Sequence, residues 1–438
     1  MGGVVSMIRS FGSTVAAVAG QSRRVVRAVR RRLGWDLHST ISAFTPCGPV
    51  RGRILLAHRI DGFVLDSAHP RLARHNQFHE AIALTEALLE RGFAVDVVSH
   101  RRERPTPRGD YDLFVGTRGN FEMLASRLDR SCIRVVALDT THWLYNNHAS
   151  LGRSLEVQNR RGITPERDIA IERNRAIEAA DYGLMLGNDF VYDTYAFAGT
   201  PIFELINPTI AEWDWPKAKD HGAVRKRFLW LSSRGLAHKG LGRVLEAFGG
   251  MPDLHLTVCG PLEEEPNFCR AYERELRHCR NIEVRGWIDV TGPDFTALAD
   301  SVLAHIFPSC AEAQAGSVIN CMGAGLIPMV SREVGLDVSP RFGIEMADPS
   351  VQGIRDAVRA LSDRPAADLQ AMARQAWLTA RTRHSRARYK TIVGSTIERI
   401  LRDEVDAAAG GFIRLADRYC ERELLPERPP APTRARQA

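Results

Sequence analysis

The sequence predicts an α/β protein with two doubly wound parallel sheets, because short apolar segments alternate with amphipathic helical segments through both halves of the chain. At 438 residues the chain is long enough for two domains of ordinary size with extensions. Its hydrophobic fraction of 44% is typical of a globular protein. The expected parts are a basic, partly amphipathic N-terminal extension at 1–47, a first domain at 48–222, a second domain at 223–400, and a C-terminal helix with a disordered tail at 401–438.

Strand and helix signals alternate along the first half of the chain. A strand at 53–57 is followed by a helix that begins at Asn76 and ends at Gly92. Further strands are predicted at 93–98, 112–115, 133–138, 182–186 and 202–206. A long helical region within this series is predicted to end near Ala179. The alternation indicates a parallel sheet, and a link near 213–225 separates it from the second half.

Two cations and a glycine follow the first strand of the second half. A buried strand at 228–231 runs into Arg234, Lys239 and Gly240, and a helix with its apolar residues on one face comes next. Ligands bind at the carboxyl ends of strands in open α/β sheets. A glycine beside Lys239 also lets an anion approach the backbone and the helix N-terminus closely. An Arg-x4-Lys pair alone is more often a solvated surface, so the prediction of an anion site also needs a second element further along the chain.

A carboxylate follows a later strand of the same half. The strand at 304–307 leads to Glu312 and then to a helix that Gly316 and Ser317 are predicted to open as loop and cap, and that Gly325 ends. A second helix N-terminus would therefore lie beside a carboxylate. The order of strand, cation pair, second strand, carboxylate and helix predicts a site for a sugar nucleotide.

Residues 225–335 resemble the C-terminal domain of the family-4 retaining glycosyltransferases, which have the GT-B fold of two Rossmann-like domains facing a cleft. The resemblance implies that Arg234 and Lys239 hold the donor diphosphate and that Glu312 holds the donor sugar. Eight positions after the first glutamate the family has a second one, for the ribose, where this chain has Asn320. Neutral groups form weaker hydrogen bonds than charged ones, roughly 0.5–1.5 against 1.5–3 kcal/mol, so donor affinity or nucleotide preference is expected to differ.

The resemblance also implies roles for residues around this cluster. The candidate catalytic residues are Glu312 and His142. His142 follows a predicted strand and would orient the transferred sugar or the acceptor hydroxyl, the alternative being a loop histidine bonded to backbone. The nucleotide base would lie against Ile288, with Trp287 beside it interpreted alternatively as a core residue. The remaining donor-binding candidates are Gly240, Gly316, Ser317 and Val318. In relatives the C-terminal helical region, here 366–400, crosses back to brace the N-terminal domain.

The preferred hypothesis is transfer of a hexose from a nucleoside diphosphate sugar to a lipid-linked or cell-surface polysaccharide acceptor, with retention of anomeric configuration. One alternative is a catalytically inactive GT-B paralogue that acts as a donor-binding scaffold, and Asn320 motivates it. A further alternative is a sugar-nucleotide epimerase. No cofactor and no metal ion are expected, because basic residues can neutralise the diphosphate and because Asp110 and Asp112 are interpreted as turn residues.

Positive charge is concentrated at the start of the chain. The net charge is +7, and no acidic residue precedes Asp36. The basic segment contains Arg23, Arg24, Arg27, Arg30, Arg31 and Arg32. It predicts docking on an anionic membrane surface, with a disordered basic arm as the alternative. No apolar run is long enough to span a membrane, so we expect a cytoplasmic protein, peripheral on the inner face of the cytoplasmic membrane. The arginines lack interleaved aromatic residues, which argues against nucleic-acid binding.

Overall fold

The computed structural model describes residues 42–65, 69, 72, 75–102, 107, 109–166, 169–402 and 411–415. These residues form an eight-stranded and a six-stranded sheet, whose strands are connected mainly by helices. The predicted membrane-docking arginines and the predicted tail beyond residue 415 lie outside the described residues. Within the described ranges, no helix combines the length and the apolarity that crossing a membrane requires.

The elements of the described residues are numbered in chain order. The strands are β1 Ser42–Phe44, β2 Gly52–His58, β3 Phe93–Ser99, β4 Leu113–Thr117, β5 Ile133–Leu138, β6 Tyr182–Leu186, β7 Ile202–Leu205, β8 Arg227–Leu231, β9 His255–Cys259, β10 Ile282–Gly286, β11 Ala304–Phe307, β12 Ile327–Ser331, β13 Ile344–Met346 and β14 Phe412–Ile413. The α-helices are α1 Asp61–Val64, α2 Asn76–Glu90, α3 Phe121–Ala125, α4 Trp143–Arg161, α5 Asp189–Asp193, α6 Leu241–Gly249, α7 Pro266–Ala271, α8 Glu273–His278, α9 Pro293–Ser301, α10 Gly316–Gly323, α11 Val351–Ser362, α12 Ala366–Arg383 and α13 Arg386–Leu401.

The first sheet has the strand order β1-β3-β2-β4-β5-β6-β7-β14. Its neighbouring strands pair in parallel, apart from the antiparallel edge strand β1. The chain passes from β2 to β3 in one direction and continues from β4 in the other. The strand order therefore reverses between β2 and β4. In open α/β sheets, ligands bind outside the carboxyl ends of strands at such a reversal.

The second sheet has the order β10-β9-β8-β11-β12-β13, and all its pairs are parallel. Here the reversal lies between β8 and β11. Both halves are thus doubly wound α/β sheets, as the sequence predicted.

The second sheet forms because its central strands are apolar on both faces, which is typical of parallel strands covered by helices. Phe228 and Trp230 of β8 are fully buried, and the ring of Phe228 lies 5.7 Å from the ring of Phe248 in α6. Helix α6 buries all the apolar residues that its periodicity predicted for one face, namely Leu241, Val244, Leu245 and Phe248.

The helical region predicted to end near Ala179 is shorter, because α4 ends at Arg161. Gly162 follows with a φ of 70°, a left-handed conformation that commonly closes a helix. The described residues from 163 to 175 contain no helix. They lie along α4, where the side chain of Asn147 accepts a hydrogen bond of 2.7 Å from the backbone N–H of Ile171. Tertiary contacts with α4 therefore override the local helical pattern.

The helical region predicted at 366–400 consists of two helices, α12 and α13. Ser385 breaks it, because its hydroxyl accepts a backbone hydrogen bond and caps α13. Helix α13 then lies on the first domain, where Tyr389 belongs to the hydrophobic core and Arg386 pairs with Glu86 of α2 at 2.8 Å. The chain thus crosses back to the first domain, and α13, which the predicted boundary grouped with the second domain, contributes to the first core.

Helix α4 joins the two domains. Its Val157 packs in the core of the second domain. Its Glu156 accepts a hydrogen bond of 2.7 Å from the guanidinium of Arg243, which lies on α6. The buried Arg153 donates to the carbonyl oxygen of Pro308 at 3.0 Å, directly after β11. The carboxyl end of β11 is therefore held beside the first domain.

We expect Phe228→Ala to lower the free energy of unfolding by about 3–5 kcal/mol, because a fully buried aromatic ring leaves a cavity. Phe197, which is 61% exposed, is the matched control, and Phe197→Ala should cost less than about 1 kcal/mol. Urea unfolding of both variants checks this. Equal losses in the two variants would show that β8 is not the buried centre of its sheet.

Candidate functional site

The loops after β8 and β11 meet at the edge where the strand order of the second sheet reverses. The paired register of the two strands runs to Leu229 and His305. Beyond it, the imidazole of His305 lies 3.2 Å from the backbone nitrogen of Leu231, so a side chain replaces backbone pairing there. A crevice of this kind is the usual ligand site of an open α/β sheet.

A buried glutamate that the sequence did not single out holds the loop after β8. Glu265 is fully buried, and its carboxylate accepts a hydrogen bond of 2.6 Å from the N–H of Gly235 and one of 3.1 Å from the N–H of Leu236. These charge-assisted bonds fix the turn that carries Lys239. Glu265 is the last of three successive glutamates, and nothing in the sequence separates it from its two neighbours. Only the fold selects it.

Gly240 ends this turn and precedes α6. Its φ is 75°, and a β-carbon at this position would collide with the backbone oxygen of Pro308. The sequence predicted that this glycine lets an anion approach the backbone. In the structure, the group that approaches Gly240 closely is the loop after β11. The indole N–H of Trp230 adds a hydrogen bond of 3.3 Å to the carbonyl of Lys239.

Lys239 and Glu312 form the centre of the candidate site. The ammonium nitrogen of Lys239 lies 3.4 Å from Oε1 of Glu312 and 5.7 Å from the centre of the Phe307 ring. Ser309 donates to the same Oε1 at 3.1 Å, and Nε2 of His238 lies 3.9 Å from it. The side chains of Lys239 and Glu312 are 14% and 20% exposed, so solvent reaches both. The contacts of Glu312 with Lys239, Ser309 and His238 all fall on Oε1. Among the described residues, Oε2 of Glu312 has no hydrogen-bond partner.

His238 is a neutral positioning group in this cluster. Its Nε2 lies 2.8 Å from the carbonyl oxygen of Ala311, which only accepts, so Nε2 carries the proton. Burial lowers the pKa of His238, against the raising effect of Glu312. The imidazole therefore ties the loop after β11 to the turn of Lys239 without adding charge.

Arg234 is not in direct contact with this pair. Its guanidinium forms an ion pair with Glu264, and the arginine side chain is 52% exposed. An exposed ion pair contributes only about 0–1 kcal/mol, so an anion at the site could replace the carboxylate at little cost.

Helix α10 begins four residues after Glu312. The helix begins at Gly316, and Ala315 is its N-cap without a side-chain hydrogen bond, so Ser317 is not the cap that the sequence predicted. In the described part of the chain, the N–H groups of Gly316 and Ser317 have no acceptor. The N–H of Val318 already donates to the carbonyl of Ala315 at 3.1 Å, and its predicted contact with the donor would have to break that bond.

Asn320 lies in a buried amide network between the domains. Its side-chain amide donates to Oδ1 of Asn76 at 3.2 Å, and its oxygen accepts from the N–H of Ile210 at 3.2 Å. Asn76 in turn donates to the carbonyl of Pro208 at 2.8 Å. A carboxylate could not both donate and accept here, which accounts for an amide at this position. Both polar atoms of Asn320 are engaged, and the predicted ribose contact would have to displace one partner.

Ile288 follows β10 and packs against the cluster of apolar residues that includes Leu231. Trp287 beside it is 39% exposed, so the interpretation of Trp287 as a core residue is wrong. The structure leaves an apolar surface near the end of β10, and the predicted contact of Ile288 with the base stays a prediction.

His142 is not brought together with Glu312. Its ring lies among Trp143, Tyr195 and Phe197, at centroid distances of 5.0–5.7 Å. Its Nε2 is buried without a hydrogen-bond partner among the described residues, and burial lowers its pKa. The catalytic role of His142 remains a prediction, and its buried Nε2 would have to become accessible to reach a substrate.

Carboxylates and metal-ligating side chains do not cluster in the described part of the chain, where no group of three or more could hold a metal ion. Asp112 instead accepts a hydrogen bond of 2.7 Å from the backbone N–H of Arg53.

The first domain contains a buried pair of titratable residues, His58 at the end of β2 and Glu80 on α2. Nε2 of His58 lies 3.9 Å from Oε1 of Glu80, to which the hydroxyl of Tyr389 donates at 3.5 Å. Burial raises the pKa of Glu80 to about 8, with a further contribution from Asp139. Burial likewise lowers the pKa of His58 to about 3. Both groups are therefore neutral near pH 7.

No protein-family model and no curated protein sequence matches the chain. Solved structures match it in fold. Sucrose-phosphate synthase from Thermosynechococcus elongatus matches with a TM-score of 0.57 at 12% identity, over 81% of this chain and 100% of that chain. Anabaena HepE, in complex with UDP and glucose, matches with a TM-score of 0.50 at 12% identity, over 79% and 99%. The chain spans 54% of the length of a matching S. aureus TarM structure, at 13% identity, a TM-score of 0.48 and 66% coverage of this chain. The protein has the GT-B fold that the sequence predicted.

We expect Glu265→Ala to lower the free energy of unfolding by about 2–4 kcal/mol, because it leaves two buried N–H groups unpaired. Glu263 in the same run of glutamates is exposed, and Glu263→Ala should change stability by no more than about 0.5 kcal/mol. Chemical denaturation of the two variants measures the difference. A Glu265→Ala protein as stable as the control would contradict the assigned role of this carboxylate.

Glu80 predicts a pH dependence of stability. Because its pKa is raised from 4.5 to about 8 in the folded protein, the stability that it contributes is present below about pH 4.5 and is lost as pH rises towards 8. Glu80→Gln removes this loss, so the variant should gain on the wild type between pH 5 and 8 by up to about 1.4 kcal/mol per pH unit. Urea unfolding across this range tests it, with Glu90→Gln at the exposed end of α2 as control. Parallel pH curves for wild type and Glu80→Gln would refute it.

Proposed function

We propose that the protein is a glycosyltransferase that uses a nucleoside diphosphate sugar as donor. The observation that carries the proposal is the contact of Lys239 with Glu312 at the strand-order reversal of the second sheet, where α10 begins four residues after Glu312 with the amides of Gly316 and Ser317 unpaired among the described residues. Cations and helix N-terminal amides suit a diphosphate, and a carboxylate suits sugar hydroxyls. The shared fold with HepE, which binds UDP and glucose, supports this proposal.

Each group has a distinct role in the proposed reaction. Lys239 and the amides of α10 would stabilise the charge that develops on the leaving diphosphate, and Arg234 would join them by exchanging Glu264 for phosphate. These groups neutralise the diphosphate without a divalent ion. Glu312, through its unoccupied Oε2, would accept a hydrogen bond from a sugar hydroxyl and fix the ring. Its Oε1 stays engaged with Lys239 at 3.4 Å.

We propose transfer of a hexose with retention of configuration. The acceptor oxygen would bond to the anomeric carbon on the face from which the diphosphate departs, as the bond from that carbon to the phosphate oxygen breaks. The acceptor proton would pass to the leaving phosphate. His142 would orient the sugar or the acceptor hydroxyl, and Ile288 would support the base.

The proposed acceptor is a lipid-linked or cell-surface polysaccharide, and the sequence supplies the support for it. The basic N-terminal segment lies outside the described residues, and its composition fits contact with an anionic membrane surface. An enzyme docked there would meet lipid-linked substrates at the membrane.

A donor-binding scaffold without turnover is the second candidate. Asn320 favours it, because both its polar atoms are engaged within the protein and an amide stands where the family has its second glutamate. The two candidates agree on donor binding and differ only in catalysis.

We expect one UDP-, GDP-, ADP- or dTDP-sugar to raise the melting temperature selectively, because a ligand that binds only the folded protein stabilises it. Arg234→Ala should weaken donor binding at least about tenfold, since a charged hydrogen bond is lost. Arg277→Ala, on an exposed ion pair of α8, is the control and should bind like wild type. A second arm follows donor turnover, which Glu312→Gln should abolish and the exposed control Glu273→Gln should not.

The outcomes separate the candidates. Binding with turnover lost in Glu312→Gln supports the enzyme. Binding with no turnover in any variant supports the scaffold. No stabilisation by any donor at millimolar concentration refutes both.

A further inference from the structure

The first sheet has its own strand-order reversal, between β2 and β4, and an arginine follows each of these strands. Paired register runs to Ala57 and Gly116, so Arg59 and Arg118 lie two residues beyond the same rung of the sheet. Lys239 and Glu312 likewise follow the two strands at the reversal of the second sheet, although they lie further along longer loops. The topology therefore places two guanidinium groups where an open α/β sheet binds its ligands.

A short chain of contacts orients the two arginines. The Nε of Arg59 donates to the side-chain oxygen of Gln77, whose amide donates to Asp139. Arg118 pairs with the other carboxylate oxygen of Asp139. Both oxygens of Asp139 are thus engaged, one directly by Arg118 and the other by Gln77, through which Arg59 is linked to the carboxylate. Among the described residues, the terminal nitrogens of Arg59 have no hydrogen-bond partner.

The positive charge of this cluster is incompletely balanced. Glu80 contributes no negative charge near pH 7, because burial keeps it protonated. Burial lowers the pKa of Arg59, and Arg101 lowers it further, whereas Asp139 and Asp61 raise it. A half-buried guanidinium with too little counter-charge is unfavourable, and an anionic ligand would relieve it.

The cluster is accessible and lies beside the candidate donor site. The side chain of Arg118 is 34% exposed, and that of Asp139 is 12% exposed. The start of α2 links the two regions, since Gln77 contacts Arg59 and the adjacent Asn76 contacts Asn320 of α10.

We propose that Arg59 and Arg118 bind an anionic group of the acceptor, a phosphate or a carboxylate, and so position the acceptor opposite the donor sugar. Arginine suits this role, because its planar group of donors matches both anions bidentately. Gln77 and Asp139 are positioning residues, which hold the two guanidinium groups in place. The identification of the ligand as an acceptor rests on the proposed glycosyltransferase function. Binding of an anion by the two arginines does not depend on catalysis.

The test is isothermal titration of the full-length protein saturated with UDP, which keeps probes out of the diphosphate site. The probes are inorganic phosphate, D-glucuronate and, as neutral control, D-glucose. We expect one of the two anions to bind and glucose not to bind, and the anion that binds identifies the acceptor group. Arg118→Gln and Arg59→Gln should each weaken that binding by about tenfold or more, because each removes a charge-assisted bidentate contact. Arg277→Gln is the matched control on the exposed surface of α8 and should bind like wild type.

UDP affinity reports whether each variant is folded and separates the two proposals. Unchanged UDP affinity with lost anion binding in Arg118→Gln supports the site. Anion binding that persists in both arginine variants, or that is absent from the UDP-loaded wild type at millimolar probe, overturns it. If none of UDP, GDP, ADP and dTDP binds, the donor proposal fails, and the same anion titration on the unliganded protein still decides the arginine site.

Discussion

Strands β8 and β11 lie side by side although β9 and β10 separate them in the chain, and the candidate donor site depends on that pairing. The pairing puts the loop of Lys239 against the loop of Glu312. It also brings Gly240 so close to Pro308 that only glycine fits. The buried carboxylate of Glu265 holds the turn that carries Lys239, because it accepts hydrogen bonds from the backbone amides of Gly235 and Leu236. Sheet topology sets the positions, and buried hydrogen bonds set the orientations.

The first domain also places cations at its strand-order reversal. The region between the domains is therefore lined with positive charge from both sheets. Both strand-order reversals carry cations, Lys239 in one case and Arg59 with Arg118 in the other. Helices α2 and α10 add the positive ends of their dipoles, and the two helices meet where Asn76 contacts Asn320. Fixed donors of this kind need no reorganisation when an anion binds, which is the form of stabilisation that phosphoryl leaving groups require.

Much of this architecture can be predicted from the sequence because parallel strands are nearly continuous apolar runs. Strands β5 and β6 begin and end at the predicted residues, and Lys239 and Glu312 were predicted from their positions after strands. The end of α4 was not predictable, because hydrogen bonds to α4 decide the path of the chain after it. Glu265, Arg59 and Arg118 escaped the sequence analysis for a related reason. Their importance comes from the strand order, which a single sequence does not reveal.

At Asn320, the role that the family motif implies differs from the contacts that the structure shows. The motif places this residue at a ribose, whereas the structure places its amide between two domains. A residue at a family position can thus take a structural role when its chemistry changes from carboxylate to amide, since the amide can donate as well as accept. Donor specificity must then come from other groups, among them the surface at Ile288 and the amides that begin α10.

The most direct test of the central claim is a crystal structure of the protein with UDP. We expect the diphosphate to contact the ammonium of Lys239 and the amides of Gly316 and Ser317, with Arg234 released from Glu264. A diphosphate bound elsewhere, with Lys239 still in contact with Glu312 and Ser233, would contradict the assignment of the donor site to the β8–β11 edge.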